Sequence, residues 1–128
     1  MLSARIFLAV QALILAGFGL AYLVKPHELA NFSGMLLMAP AAITDVRAYY
    51  GGLQLGLAAY LLLALARLDL LRPALSLLVL LYAALALTRM AGLWLDGGAQ
   101  QTFNLYAMLF EVVSAGLAFW CLRGLQRS

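Results

Sequence analysis

The sequence predicts an all-α fold, a four-helix transmembrane bundle with a short interfacial helix between spans one and two. Of the 128 residues, 66% are hydrophobic and only 10% are charged, and the mean hydropathy is +1.01. Soluble domains carry roughly 25% charged residues. Because a spanning helix needs about 20 apolar residues, the chain has room for about four spans. We therefore predict a single integral membrane domain over residues 1–128.

Four apolar runs are separated by charged or glycine-containing turns, and they predict spans at residues 4–24, 45–66, 73–95 and 103–122. The first run is longer than the apolar core of a signal peptide and lacks a clear A-x-A cleavage site, which favours a retained helix. In the first loop, Pro26 suits the start of a short helix at the membrane interface. Thr44 is predicted to cap the second span, and Pro73 to start the third.

The basic residues outside the spans predict the topology. Four spans would bring five arginines to one side of the membrane: Arg5, Arg67, Arg72, Arg123 and Arg127. Lys25 alone flanks the other side. The positive-inside rule then predicts that both termini are cytoplasmic in an inner (plasma) membrane.

Polar residues interrupt the apolar spans, and they are the candidate ligand-binding or polar-network residues: Asp45, Arg47, Tyr50, Gln54, Arg89, Asp96 and Glu111. A charge in hydrocarbon costs several kcal/mol unless it faces a partner, a water-filled cavity or a ligand. The helical rise of about 1.5 Å per residue places polar groups of three spans in one layer of the outer half. We expect Arg47 and Arg89 to pair with the acids of this layer. Spacing alone leaves open whether the layer is one connected site.

Helical geometry also assigns faces within the second and fourth spans. One face of the second span should carry Arg47, Gly51, Gln54 and Ala58. The opposite face should carry Asp45, Gly52 and Gly56. Gly52-x-x-x-Gly56 is a close-packing motif, so Gly51, Gly52 and Gly56 are the predicted helix-packing glycines. In the fourth span, Asn104, Glu111 and Ser114 share a face.

The sequence contains no signature of catalysis. It has one histidine and one cysteine, and it lacks a phosphate loop and the G-x-S-x-G motif of serine hydrolases. We therefore predict no catalytic residues, no cofactor and no metal, although a proton transfer by Glu111 and a tyrosine stays open. The scattered net charge of +3 argues against a nucleic-acid partner.

The stretch Asp45-Val-Arg-Ala-Tyr-Tyr-Gly-Gly resembles the D-x-R-A-x-Y-G-G pattern of a family of small bacterial four-span membrane proteins, the domain-of-unknown-function family 4345. Arg89 followed by Asp96-Gly97, and then Glu111, resemble the family's later motifs. The resemblance covers nearly the whole chain. It implies a four-helix membrane fold in a bacterial inner membrane and supplies no reaction.

Three functions remain open. The polar layer favours a binding protein for a lipid-like or quinone-like small molecule, held by Arg47 and Arg89, with membrane lipids around the bundle. The first alternative is a structural or accessory subunit, a homo-oligomer packed through Gly52 and Gly56, in which buried ion pairs only fix helix register. The second is a small proton-coupled transporter that works as a dimer and uses Glu111.

Overall fold

The computed structural model describes residues 1–97 and 101–127, without the side chains of the last two. Six α-helices are found in these residues, and no strand. They are α1 (Leu2–Val24), α2 (Pro26–Asn31), α3 (Pro40–Val46), α4 (Leu53–Ala66), α5 (Leu71–Leu95) and α6 (Thr102–Arg127). A π-helix (Arg47–Gly52) joins α3 to α4, and a 3₁₀ turn (Leu68–Leu70) precedes α5.

Four helical segments are long and apolar enough to cross a membrane: Leu2–Val24, Pro40–Ala66, Leu68–Leu95 and Thr102–Leu125. Large apolar side chains lie exposed on these segments, among them Leu13, Leu80 and Trp120. Such exposure would be unfavourable in water, and it is what contact with lipid requires. The prediction of an all-α protein with four spans is confirmed, and the chain is a multi-pass membrane protein.

The second span begins earlier than predicted. The sequence placed its start at Asp45 with Thr44 as the cap, but the helix begins at Pro40, after the extended residue Ala39. Proline suits this first helical position because its missing N–H would have no partner there. The short helix predicted between the first two spans is present as α2, and its position relative to the membrane surface stays a prediction. The chain leaves α2 through Gly34, whose φ of +81° favours glycine.

The chain divides into two compact units, Met1–Phe7 with Arg67–Ser128, and Leu8–Ala66. In the first unit, α5 and α6 pack against each other. They run antiparallel, since Arg72 near the start of α5 donates to the carbonyl of Leu125 near the end of α6. Each helix buries residues at spacings of three and four, including Leu71, Leu75, Leu78 and Tyr82 on α5 and Ser114, Ala118 and Cys121 on α6.

In the second unit, α1 packs closely on the π-helix and α4 at two glycines. A Cβ added at Gly51 would lie 2.8 Å from Cδ2 of Leu23 and 3.2 Å from the Gly19 carbonyl oxygen. A Cβ added at Gly19 would lie 3.0 Å from the Gly51 carbonyl oxygen and 2.9 Å from Cγ of Leu55. Small residues at such a crossing let two backbones approach within a membrane. Beside it, the rings of Tyr22 and Tyr50 stack with centroids 5.1 Å apart.

The π-helix changes the faces predicted for the second span. Each of its hydrogen bonds closes over five residues instead of four, so the residues after it are rotated relative to an uninterrupted α-helix. Gly51 and Ala58 are buried while Arg47 is exposed, so the three residues predicted to share a face do not share one buried surface. The predicted close packing at Gly56 is also not found among the described residues, because a Cβ at Gly56 would meet nothing within 4 Å.

Candidate polar binding site on α5 and α6

An ion pair between Arg89 and Glu111 forms the centre of the candidate site. The Nε of Arg89 donates to both carboxylate oxygens of Glu111, at 2.9 and 3.1 Å. The Glu111 side chain is only 6% exposed, and that of Arg89 is 28% exposed. A carboxylate this deep in an apolar span requires a cation, and Arg89 supplies it.

Two amide side chains extend the pair into a hydrogen-bonded chain. The Nη1 of Arg89 donates to Oδ1 of Asn104 at 2.6 Å, and Nδ2 of Asn104 donates to Oε1 of Gln101 at 2.9 Å. Nε2 of Gln101 then donates to the carbonyl oxygen of Gly97, just beyond the end of α5, at 2.8 Å. The network thus joins the end of α5 to the first turns of α6 and fixes the orientation of the guanidinium.

The spacing of these residues explains why they meet. Asn104 and Glu111 are seven residues apart, which is two helical turns, so both lie on one face of α6. Two turns before Arg89, the buried Tyr82 ring meets the edge of Phe110, with centroids 5.7 Å apart. An aromatic contact therefore lies on one side of the ion pair, and the polar amides lie on the other.

The guanidinium of Arg89 keeps donors that none of the described residues uses. Arginine has five N–H groups. Among the described residues, those of Arg89 contact only Glu111 through Nε and Asn104 through Nη1. The second N–H of Nη1 and both N–H groups of Nη2 are therefore available to an acceptor from outside this network. They belong to a side chain that is partly exposed.

The predicted site residues separate into two groups. Of the two arginines expected to pair with the acids, Arg89 meets Glu111, whereas Asp96 is exposed at the end of α5 and has no ion pair among the described residues. Asp45, Arg47, Tyr50 and Gln54 belong to the other compact unit.

In that second unit, the polar side chains do not form the layer of paired charges that the sequence predicted. Gln54 is occupied within its own helix, since its Nε2 donates to the carbonyl oxygen of Tyr50 at 2.6 Å. Asp45 and Arg47 are both exposed, and neither has an ion pair within the part of the chain that the structure describes. We expected Asp45 to orient an arginine, and the structure shows no such contact there.

Sequence reasoning missed Gln101 and Gly19. Gln101 lies three residues before Asn104 and so on the same face of the coming helix, but it precedes the predicted start of the fourth span. Gly19 lies in an uncharged apolar run, and a glycine there does not by itself indicate that another helix packs against it. Within residues 1–97 and 101–127, no group of three His, Cys, Asp or Glu side chains is placed to hold a metal.

The fold and this network define a small four-span membrane protein with a polar hydrogen-bonded chain in one helix pair. The chain belongs to the family described as Domain of unknown function (DUF4345), whose model matches residues 3–122. The comparisons with curated proteins and with solved structures found no match.

Proposed function

We propose that the protein binds a lipid-like or quinone-like small molecule whose polar head accepts hydrogen bonds from Arg89. The observation that carries the proposal is that the Arg89 guanidinium uses only two of its five N–H groups among the described residues. Glu111 and Asn104 hold Nε and Nη1 in fixed positions, and three further N–H groups are left for another acceptor. A group held in this way loses little freedom when it binds, which favours affinity.

The charge of the site favours an uncharged head. Glu111 balances the charge of Arg89, so the pair is neutral as a whole. Bringing an additional net charge into a region of low dielectric would be unfavourable without a further cation. A carbonyl oxygen, such as that of a quinone or a lipid ester, accepts hydrogen bonds without adding charge. The apolar spans formed by α5 and α6 suit the rest of an amphipathic molecule.

Titration with two uncharged probes tests this proposal. Decylubiquinone and monoolein both carry carbonyl heads, and their binding to the purified chain in detergent can be followed by calorimetry. We expect at least one probe to bind the wild-type chain, and Arg89→Leu to weaken it by about tenfold or more, as expected for lost bonds to a charged donor. Arg67→Leu is the matched control, because Arg67 pairs only with the exposed Asp69.

The variant must remain folded for the comparison to be informative. Arg89→Leu leaves Glu111 buried without its cation, so the double variant Arg89→Leu with Glu111→Leu is measured beside it. The double variant has no unpaired charge and still lacks the donors. Probe binding that is unchanged in the double variant would contradict the proposal, and so would failure of both probes to bind the wild-type chain.

The open face of α4 favours a second candidate, the homo-oligomeric subunit. A Cβ at Gly56 would meet nothing within 4 Å, so the Gly52/Gly56 surface is free to receive a helix of another copy. Gly56→Ile is expected to disperse such an assembly, which size-exclusion chromatography with light scattering would detect. A wild-type chain that is already monomeric would exclude this candidate.

A further inference from the structure

A cavity with charged lining residues lies within the compact unit Leu8–Ala66, and it contains no residue of the Arg89 network. Its volume is about 450 Å³, and it is open on one side. The end of α1, the first turn of α2 and one face of α3 line it. Its charged and titratable lining residues are Lys25, His27, Glu28 and Arg47. We call it the Arg47 cleft.

The face of α3 in the cleft follows helical spacing. Pro40, Ile43, Thr44 and Arg47 stand at positions i, i+3, i+4 and i+7, which share one side of a helix, and all four line the cleft. The π-helix begins at Arg47 and rotates the following residues away from this face. Arg47 therefore lines the cleft, whereas Asp45, two residues before it, does not.

The cleft has more positive than negative charge. Two cations, Lys25 and Arg47, face one carboxylate, Glu28, and His27 adds an imidazole to the lining. Lys25 and Glu28 lie 3.7 Å apart with both side chains more than 60% exposed, so this pair holds the lysine weakly. The side chain of Arg47 has no hydrogen bond or ion pair among the described residues, and its whole fork of donors is available. Unlike Arg89, it forms no ion pair with a carboxylate among the described residues.

The position of the cleft along the chain points to the membrane surface. Lys25 directly follows Val24, the last residue of the first span, and Pro40 is the first residue of the second. The first span thus ends and the second begins at the cleft, and the ends of spans are where lipid headgroups are expected. Arg47 is about 10 Å further along its helix, and its long side chain can reach toward that level. Val24 and Ile43 add apolar lining beside the charges.

We propose that the Arg47 cleft binds a phosphate group, that of an anionic phospholipid. Arg47 supplies the bidentate contact that its planar fork makes with phosphate oxygens, and Lys25 supplies a second positive charge. The apolar lining contacts the carbons next to the headgroup. This site is independent of the function proposed above, because it uses other residues and selects for negative charge instead of an uncharged head.

Binding of short-chain lipids to the full-length chain, measured by native mass spectrometry, tests the proposal. Dioctanoyl-phosphatidylglycerol is titrated against the zwitterionic dioctanoyl-phosphatidylcholine. The wild-type chain should prefer the anionic lipid, and Arg47→Gln should weaken its binding by about tenfold, the loss expected for charge-assisted hydrogen bonds. Arg67→Gln removes the same charge from an exposed arginine outside the cleft, and it should change binding by less than twofold.

Two further arms separate the alternatives. Inorganic phosphate identifies the source of the group: displacement of the lipid by millimolar phosphate would assign the cleft to free phosphate, and no displacement would assign it to the lipid. Lys25→Gln removes the second positive charge of the cleft and should also weaken binding of the anionic lipid. Because Lys25 is exposed, this substitution should not disturb folding. Equal binding of the two lipids, or equal losses in Arg47→Gln and Arg67→Gln, would overturn the proposal, because either result would mean that general membrane attraction explains the binding.

Discussion

Arg89 binds Glu111 through its Nε atom, which donates to both carboxylate oxygens although 22 residues separate the two side chains. A parallel fork of two nitrogens on two oxygens would have used more of the guanidinium. Here the Nη2 edge is left free while Asn104 fixes the Nη1 edge. This geometry is the reason to regard the pair as part of a binding site, and it leads to measurable expectations for the fold and for the site.

The first prediction concerns the ion pair itself. Arg89→Leu strands a buried carboxylate and should lower the free energy of unfolding by roughly 3 kcal/mol or more. Glu111→Leu should be milder, because Arg89 is 28% exposed and can reach other acceptors. The double variant should lie within about 1 kcal/mol of the wild type, since paired buried charges are often replaceable by apolar side chains. Denaturant unfolding in detergent, followed by circular dichroism, provides the three values. Additive losses in the double variant would show that the two side chains are not coupled.

Asn104 is predicted to orient Arg89. Asn104→Leu removes the acceptor 2.6 Å from Nη1 and the donor to Gln101, and it should reduce stability by about 1 kcal/mol. Probe affinity should fall as well, because the guanidinium loses a fixed orientation. Gln101→Leu serves as the comparison, since Gln101 bonds to Asn104 and not to Arg89, and it should lower probe affinity less than Asn104→Leu does. Equal effects of the two variants on affinity would argue against an orienting role.

The glycine crossing of the second compact unit predicts opposite effects for neighbouring glycines. Gly19→Ala places a Cβ 3.0 Å from the Gly51 carbonyl and should destabilise the protein by about 1–3 kcal/mol. Gly17→Ala, on the same helix, meets nothing within 4 Å and should be neutral or stabilising by up to about 1 kcal/mol. Thermal unfolding of both variants in one detergent gives the comparison. A Gly19→Ala variant as stable as Gly17→Ala would exclude the close approach of the two backbones.

Arg72 is expected to hold the end of α6. Its Nη2 donates to the Leu125 carbonyl at 3.1 Å, and the last carbonyls of a helix have no partner within the helix. Arg72→Leu should therefore speed amide hydrogen exchange in the last turns of α6 by about fivefold, the change that corresponds to roughly 1 kcal/mol. Arg67→Leu should leave this exchange unchanged, because Arg67 pairs with the exposed Asp69. Equal exchange in both variants would mean that the contact does not restrain the helix end.

The sequence predicted the spans well, since length and apolar composition are what a bilayer requires of a helix. It also predicted that Glu111 needs a cation, because an isolated charge in a span needs an opposite charge, but it left Arg89 and Arg47 as alternative partners. The start of the second span at Pro40 was missed because Thr44 and Asp45 have the character of a cap, while the earlier residues are simply apolar.

The faces of the second span were less predictable. A π-helix differs from an α-helix only in which carbonyl each N–H bonds. The spacing of polar and apolar residues in Arg47–Gly52 does not predict that difference. Its consequence is large, because Arg47 lines the cleft of its own unit while Gly51 is buried against Leu23. Gln54 was predicted to contact a ligand because its side chain is polar. Its amide instead donates to the carbonyl oxygen of Tyr50, one turn earlier in the same helix.

The most direct test of the Arg89 site is native mass spectrometry of the protein extracted with its own lipids. Wild-type protein, Arg67→Leu and the double variant Arg89→Leu with Glu111→Leu are compared. If Arg89 holds the head of a bound molecule, the first two should carry one discrete mass per chain that differs from bulk lipid, and the double variant should lose it. A wild-type chain without such a mass, or a double variant that keeps it, would contradict the account and would leave the ion pair with a structural role alone.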